Sequence, residues 1–267
     1  MHASQPLPAF RQRLINLETL FGLIVQLSST ESITQASTLG YDWLWLDLEH
    51  TMPQGDWLIH ALNACQAPCA PLVRIPDLDA IWIKKALDAG AEGIICPMVD
   101  TPEQAQTLVA LCKYPPRGKR SAGPLRAAHY GLSQEAYLAN ANDKTVILAQ
   151  IESVDGVRNA DAILNTEGID GLILGPLDLS ASLGVLGQPK HAKVLAAVAE
   201  VSALCKAAQK PLALYCPDAE SLQALLASGV TLPVLGMDVA MMAASLRRAL
   251  TSCQQALMGC QQALTPR

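Results

Sequence analysis

A single (β/α)8 barrel is the fold that this sequence predicts, and three observations predict it. Eight short, nearly continuous apolar runs punctuate the chain, without the polar alternation of a sheet that faces water on one side. Amphipathic stretches of helical length separate them, the order expected of parallel strands joined by crossover helices. The whole occupies 267 residues, the length of one such barrel, and no shift in composition marks a second domain. A doubly wound open sheet is the alternative; eight strands and short linkers favour closure.

The strands are expected at Gly22–Leu27, Asp42–Asp47, Ala70–Arg74, Gly93–Cys96, Thr145–Gln150, Gly171–Leu174, Pro211–Leu214 and Pro233–Leu235. Helices are expected over Asp56–Cys65, Ile81–Ala89, Pro102–Cys112, Val154–Leu164, Ala192–Ala208, Ala219–Ala227 and Val239–Leu250. Thr101, Asp218 and Asp238 stand where N-caps belong. One linker is long: Tyr114–Ser133, rich in Pro, Gly and Arg. A loop of that length in a compact domain marks function or mobility. Residues 1–250 are read as the barrel and 251–267 as a C-terminal helical arm. There CQQALMG is echoed by CQQAL, which puts Cys253, Leu257, Cys260 and Leu264 on one stripe. The stripe either covers the barrel's own core or packs on a neighbouring subunit; Gly259 weakens an isolated helix there.

Composition excludes several classes. With 51% hydrophobic and 16% charged residues, the chain is not disordered. A net charge of −5 offers no basic footprint for nucleic acid. No apolar run reaches the ~18 residues of a membrane span, and Met1–Phe10 has no secretion signal. The cysteines mostly lie in apolar segments, where they act as small hydrophobes. Cys65 and Cys69 lack a second pair at zinc-finger spacing, and the cytoplasm is the expected compartment. No phosphate-binding glycine motif and no serine-nucleophile elbow occur. A Schiff-base lysine would have to point into the barrel, but Lys144 and Lys210 border strands only at their amino ends. Carbonyl activation therefore falls to a metal.

Catalytic groups of a barrel gather at the carboxyl ends of its strands. Strand 2 ends in Asp47-Leu48-Glu49-His50, strand 3 in Arg74, and strand 4 runs into Pro97 and Asp100. Strand 5 ends in Gln150-Ile151-Glu152, and strand 6 runs into GPLDLSASLG from Gly175 to Gly184. Glu152 and Asp178 follow adjacent strands; two carboxylates with waters suit Mg²⁺ or Mn²⁺ better than zinc. Their alternative is a pair of helix caps or loop salt bridges. Arg74 ends an apolar strand, where a charge needs a partner; it would steady a carboxylate or enolate, or simply pair with Asp47 or Glu49. His50 lies three residues after Asp47 and is a general acid/base whose ring that carboxylate can orient, or else a surface histidine. The Gly175–Gly184 turn can cradle an anion.

These stretches together, GLIVQLSSTES (22–32), GYDWLWLDLEH (40–50), VRIP (73–76), CPMVDTPEQA (96–105), KYPPRGKRSAG (113–123), QIES (150–153), EGIDGLILGPLDLSASLG (167–184) and GMDVAMM (236–242), resemble the HpcH/HpaI aldolases from about Phe21 to Leu250. The resemblance implies a barrel of the phosphoenolpyruvate/pyruvate-binding type. It implies Glu152 and Asp178 as ligands of a divalent metal, Mg²⁺ or Mn²⁺ with Co²⁺ as a further option. It places Arg74 at the keto oxygen, with His50, held by Asp47, moving the proton of the aldol oxygen. Gln150 would border the metal, and the backbone of Pro176, Leu177 and Asp178 would meet the pyruvate carboxylate. The implied reaction is reversible retro-aldol cleavage of a 4-hydroxy-2-oxo acid to pyruvate and an aldehyde through a metal-bound enolate. The implied assembly is a homo-oligomer, a trimer or a hexamer exchanging C-terminal helices. Three features depart from the family pattern: Ser121 follows Arg120 in place of Gly, Pro124–Gly131 falls outside it, and Gln26 is a polar residue in the first strand. The rival readings are a CoA-ester lyase of the citramalyl or malyl type, which needs a basic groove, and a non-catalytic barrel.

Overall fold

The computed structural model describes residues 8–52 and 55–264, the last six as helix backbone alone. Strands β1 (Gly22–Val25), β2 (Trp43–Asp47), β3 (Ala70–Arg74), β4 (Gly93–Cys96), β5 (Val146–Ile151), β6 (Gly171–Leu174), β7 (Leu212–Tyr215) and β8 (Leu232–Met237) pair in chain order and close into a parallel barrel. All eight expected strands are present, with ends displaced by a few residues at most.

Two apolar layers explain the unbroken hydrophobic runs. Alternate side chains of one strand point to opposite faces. Trp43, Trp45, Ala70, Leu72, Ile95, Val146, Leu148, Ile173 and Val234 fill the barrel interior, while Leu44, Leu46, Val73, Ile94, Ile147 and Leu172 pack outward against helices. The short helix α1 (Phe10–Ile15) plugs the amino end: Phe10, Leu14 and Leu20 join the interior cluster, and the Trp43 indole donates to the Leu20 carbonyl at 3.1 Å.

The helices are α2 (Thr30–Leu39), α3 (Trp57–Ala64), α4 (Ala80–Ala89), α5 (Pro102–Cys112), α6 (Gln134–Lys144), α7 (Val154–Arg158), α8 (Ala160–Leu164), α9 (Pro176–Ser182), α10 (Ala192–Ala207), α11 (Ala219–Ser228) and α12 (Asp238–Leu264). Thr101 caps α5 through a reciprocal capping box with Gln104, and Asp218 caps α11. The single helix expected over Val154–Leu164 is broken at Asn159, whose amide donates to the Asp100 carbonyl at 2.7 Å. Asp238, expected as the N-cap, is instead the first residue of α12, and its carboxylate accepts the main-chain N–H groups of Gln26 at 2.9 Å and Leu27 at 3.2 Å. It thus staples the start of α12 to the end of β1.

The long linker goes to the amino end of the barrel, away from this chain's own strand carboxyl ends. Lys113 is buried and donates to the carbonyls of Asn142 and Thr145. Arg120 pairs with Asp88 and stacks on Tyr114. Arg126 donates to the carbonyls of Leu62 and Ala89, at the ends of α3 and α4. Helix α12 runs unbroken through residue 250, and its side chains from Val239 to Met258 are exposed. Cys260 and Leu264 of the expected stripe lie outside the described side chains.

Candidate active site

The register of β2 and β3 sets the first part of the site. Asp47 lies abreast of Arg74, so both project from the inner face at the carboxyl end. Arg74 Nε donates to Asp47 Oδ1 at 2.9 Å and Nη2 to Oδ2 at 2.7 Å. The guanidinium also stacks over the Trp45 ring, 4.8 Å from its centre. Its Nη1 lies 3.0 Å from Glu49 Oε2, without the angle of a hydrogen bond. Asp47 further accepts from the Gln26 side chain at 3.0 Å and from the main-chain amides of Glu49 and His50. Burial pushes Asp47 up, but the Arg74 pair outweighs it and holds the carboxyl below its ordinary value.

The His50 ring is not seated on Asp47. It is half exposed, and its Nε2 lies 3.7 Å from Glu49 Oε2. Asp47 reaches His50 only through the main-chain amide, because its side-chain oxygens are occupied by Arg74 and Gln26. Glu49 is thus the carboxylate nearest the imidazole. The sequence placed Glu49 between the two residues assigned catalytic roles and gave it only that of an alternative ion-pair partner for Arg74.

The second part of the site is built on β5 and β6. Glu152 is 2% exposed. Its Oε1 accepts the Met98 amide at 2.8 Å and its Oε2 accepts from the Gln150 side chain. Met98, which supplies that amide, takes a left-handed conformation with φ 49°. Gly175 is required by close approach: a Cβ there would lie 2.5 Å from Glu152 Oε2. Neither Met98 nor Gly175 carries chemistry of its own, so strand-end polarity alone did not reveal them. Burial pushes Glu152 up to about 7, against the Met98 and Gln150 donors and with the charges of Glu49 and Asp178 adding to the rise. Asp178 stands exposed in the first turn of α9, flanked by the half-buried Pro176 and the exposed Leu177.

Four carboxylates thus share this strand end: Asp47 and Glu49 lie against Arg74, and Glu49 and Asp178 act by their charge on Glu152. Gln150 Oε1 and Glu49 Oε2 are buried without hydrogen bonds. This excess of hard oxygen and negative charge fits a divalent cation. Among the described residues no group of three or more His, Cys, Asp or Glu could hold an ion by itself. A cation on Glu152 and Asp178 would therefore draw its remaining ligands from water or substrate.

Comparison with known proteins agrees with this architecture. The family model for HpcH/HpaI aldolase/citrate lyase matches residues 20–245. A hydroxypyruvate/pyruvate aldolase of Roseobacter denitrificans is 36% identical over 239 residues, covering 89% of this chain and 93% of the relative. A 2-keto-3-deoxy-L-rhamnonate aldolase of Klebsiella pneumoniae is 38% identical over 245 residues, covering 90% and 91%. Among solved structures, an HpcH/HpaI aldolase/citrate lyase family protein from Burkholderia cenocepacia superposes with a TM-score of 0.87 at 34% identity, over 91% of this chain and 98% of that one.

Proposed function

The chain belongs to the HpcH/HpaI aldolase/citrate lyase family, whose aldolases are carbon–carbon lyases, and from that premise we propose that it is a divalent-cation-dependent pyruvate aldolase. It cleaves a 4-hydroxy-2-oxo acid reversibly to pyruvate and an aldehyde. One observation carries the reading: a buried arginine, fixed in orientation by Asp47, stands in the same strand-end cluster as a buried carboxylate that burial has pushed up to about 7.

Glu152 and Asp178 hold the cation, Mg²⁺ or Mn²⁺ with Co²⁺ as a further option, and Gln150 borders it. When bound, the ion supplies Lewis-acid polarisation of the 2-keto group. The chain's own residues do the rest. Arg74 faces the keto oxygen and stabilises the negative charge that develops there. Its orientation is set in advance, because Asp47 has already locked the fork. As the C3–C4 bond breaks, its electron pair enters the enolate, and the C4 hydroxyl proton passes to His50. The enolate is then protonated at C3 to give pyruvate. The main chain at Pro176, Leu177 and Asp178 receives the pyruvate carboxylate.

The CoA-ester lyase reading is less well supported. Of the basic cluster that would hold CoA phosphates (Lys113, Arg117, Lys119, Arg120 and Arg126), all but Lys119 are engaged with acceptors of this chain at the far end of the barrel. The exposed apolar side chains of α12 support a homo-oligomer, a trimer or hexamer, in which α12 packs on a neighbouring copy. No described helix is long and apolar enough to cross a membrane. Free thiols at Cys65 and Cys69 suit a reducing compartment, and we place the protein in the cytoplasm.

The test is pyruvate release from a racemic 4-hydroxy-2-oxo acid by EDTA-stripped protein, with and without Mg²⁺, Mn²⁺ or Co²⁺. Release is expected only with metal and is expected to vanish in Glu152→Ala. Folded protein that releases no pyruvate with any metal would overturn the aldolase reading and turn attention to CoA esters.

A further inference from the structure

We propose that Gln26 is a positioning residue of this site, holding the Asp47–Arg74 pair in register through a single side-chain hydrogen bond. The inference rests on the aldolase reading above. Gln26 follows directly on β1, at the end of an otherwise apolar run. Two anchors fix it. Its main-chain N–H donates to Asp238 Oδ1 at 2.9 Å, and the next amide, of Leu27, donates to Oδ2 at 3.2 Å. With its backbone stapled to the start of α12, the half-buried side chain reaches across to β2 and its Nε2 donates to Asp47 Oδ2 at 3.0 Å.

The acceptor count shows what this bond does. A carboxylate offers about four lone-pair sites. Among the described residues, Asp47 Oδ1 serves Arg74 Nε and the amides of Glu49 and His50, whereas Oδ2 serves only Arg74 Nη2 and Gln26. Without Gln26, the second site on Oδ2 is empty in a residue that solvent cannot reach. The carboxylate then loses one of the five donors that fix it, and the guanidinium plane that it grips is held less firmly. Gln26 touches none of the reacting atoms; it acts through Asp47 on Arg74. A neutral amide suits the task, since it adds a donor without adding charge to a crowded acidic cluster.

Two variants test this. Gln26→Met keeps length and removes the donor. It is expected to lower kcat roughly tenfold, the worth of one hydrogen bond to a charged group. KM for the keto acid should stay within about twofold, with the melting temperature near that of the parent. Gln26→Glu places a carboxylate between Asp47 and Asp238, with Arg74 the one opposing cation among the described residues. Its deficit relative to the parent, measured at each pH, is expected to be largest near pH 8 and to narrow towards about pH 5.5. Over that range a carboxyl raised by two acidic neighbours takes up a proton and regains a donor. A purely architectural role would lower the melting temperature and leave a pH-independent ratio. That result, or parental kcat in both variants while the parent is active, overturns the proposal and leaves the aldolase reading standing. A folded parent inactive on every 4-hydroxy-2-oxo acid overturns both.

Discussion

Asp47 and Arg74 face each other across β2 and β3 through two parallel hydrogen bonds, with Asp47 wholly out of contact with solvent. A buried ion pair repays its desolvation only with good geometry, and losing one partner leaves a buried charge alone. Arg74→Ala is therefore expected to lower kcat by ~10²–10³ and to cost about 3–5 kcal/mol of stability. Cation binding, which depends on Glu152 and Asp178, should be unchanged in a Mn²⁺ titration. Arg74→Lys restores a charge but not the planar fork, so it should recover stability better than turnover. Steady-state kinetics and urea unfolding on the same preparations check this; normal turnover in Arg74→Ala would remove the residue from the mechanism.

His50 should behave in the opposite way. Its ring is half exposed and lies near Glu49 rather than inside the core. His50→Ala is expected to change stability by no more than about 0.5 kcal/mol while lowering kcat by ~10²–10⁴, the range of a lost proton-transfer group. Burial raises the Glu49 carboxyl, so Glu49→Gln should change the pH dependence of turnover by removing that group, whereas Asp47→Asn should chiefly damage Arg74. Equal pH profiles for the parent and Glu49→Gln would show that the Glu49 carboxyl takes no part in turnover.

Glu152 gives a pH dependence that the cation should reverse. Burial raises its folded-state pKa to about 7, above an ordinary value of 4.5. In cation-free protein, the stability linked to this group is complete below pH 4.5. It is lost as pH rises to about 7, by roughly 3 kcal/mol. Melting curves of EDTA-treated protein should therefore fall across that interval, and saturating Mn²⁺ should restore stability most at the alkaline end. Glu152→Gln should flatten the profile and abolish the Mn²⁺ effect. An unsloped profile in cation-free parent protein would show that Glu152 carries no buried charge.

The barrel was legible because parallel strands buried on both faces leave continuous apolar runs, which no other element here imitates. Asp47, Arg74, Gln150 and Glu152 were legible as polar residues ending such runs. Their pairing stayed open: Arg74 had Asp47 or Glu49 as partners, and Asp47 had Arg74 or the His50 ring. That Asp47 grips Arg74 rather than orienting the His50 ring follows from the alignment of β2 with β3, a relation between residues 27 apart. Short-range spacing favoured His50 only because it is near in sequence. Helices α2 and α6 were missed for a different reason: TESITQASTL is rich in weak helix formers, and α6 buries only Ala141. The destination of the Tyr114–Ser133 linker depends on where Arg120 and Arg126 find acceptors, on α4 and at the ends of α3 and α4, and sequence pattern does not contain that.

Helix α12 yields the last prediction. Along it Leu246, Leu250, Cys253 and Leu257 recur at intervals of four, three and four residues, which places them on one face. The three leucines are 59–65% exposed and Cys253 is exposed too. Fully burying a leucine contributes about 1.5–3 kcal/mol, so a second copy that covers this stripe gains more than most surface contacts supply. Substituting Leu250→Glu together with Leu257→Glu is expected to leave the circular dichroism of the barrel unchanged. In sedimentation velocity the same variant should fall to a smaller species, as should a chain ending at residue 250. An assembly of unchanged mass in both would mean that copies of this chain associate through some other surface.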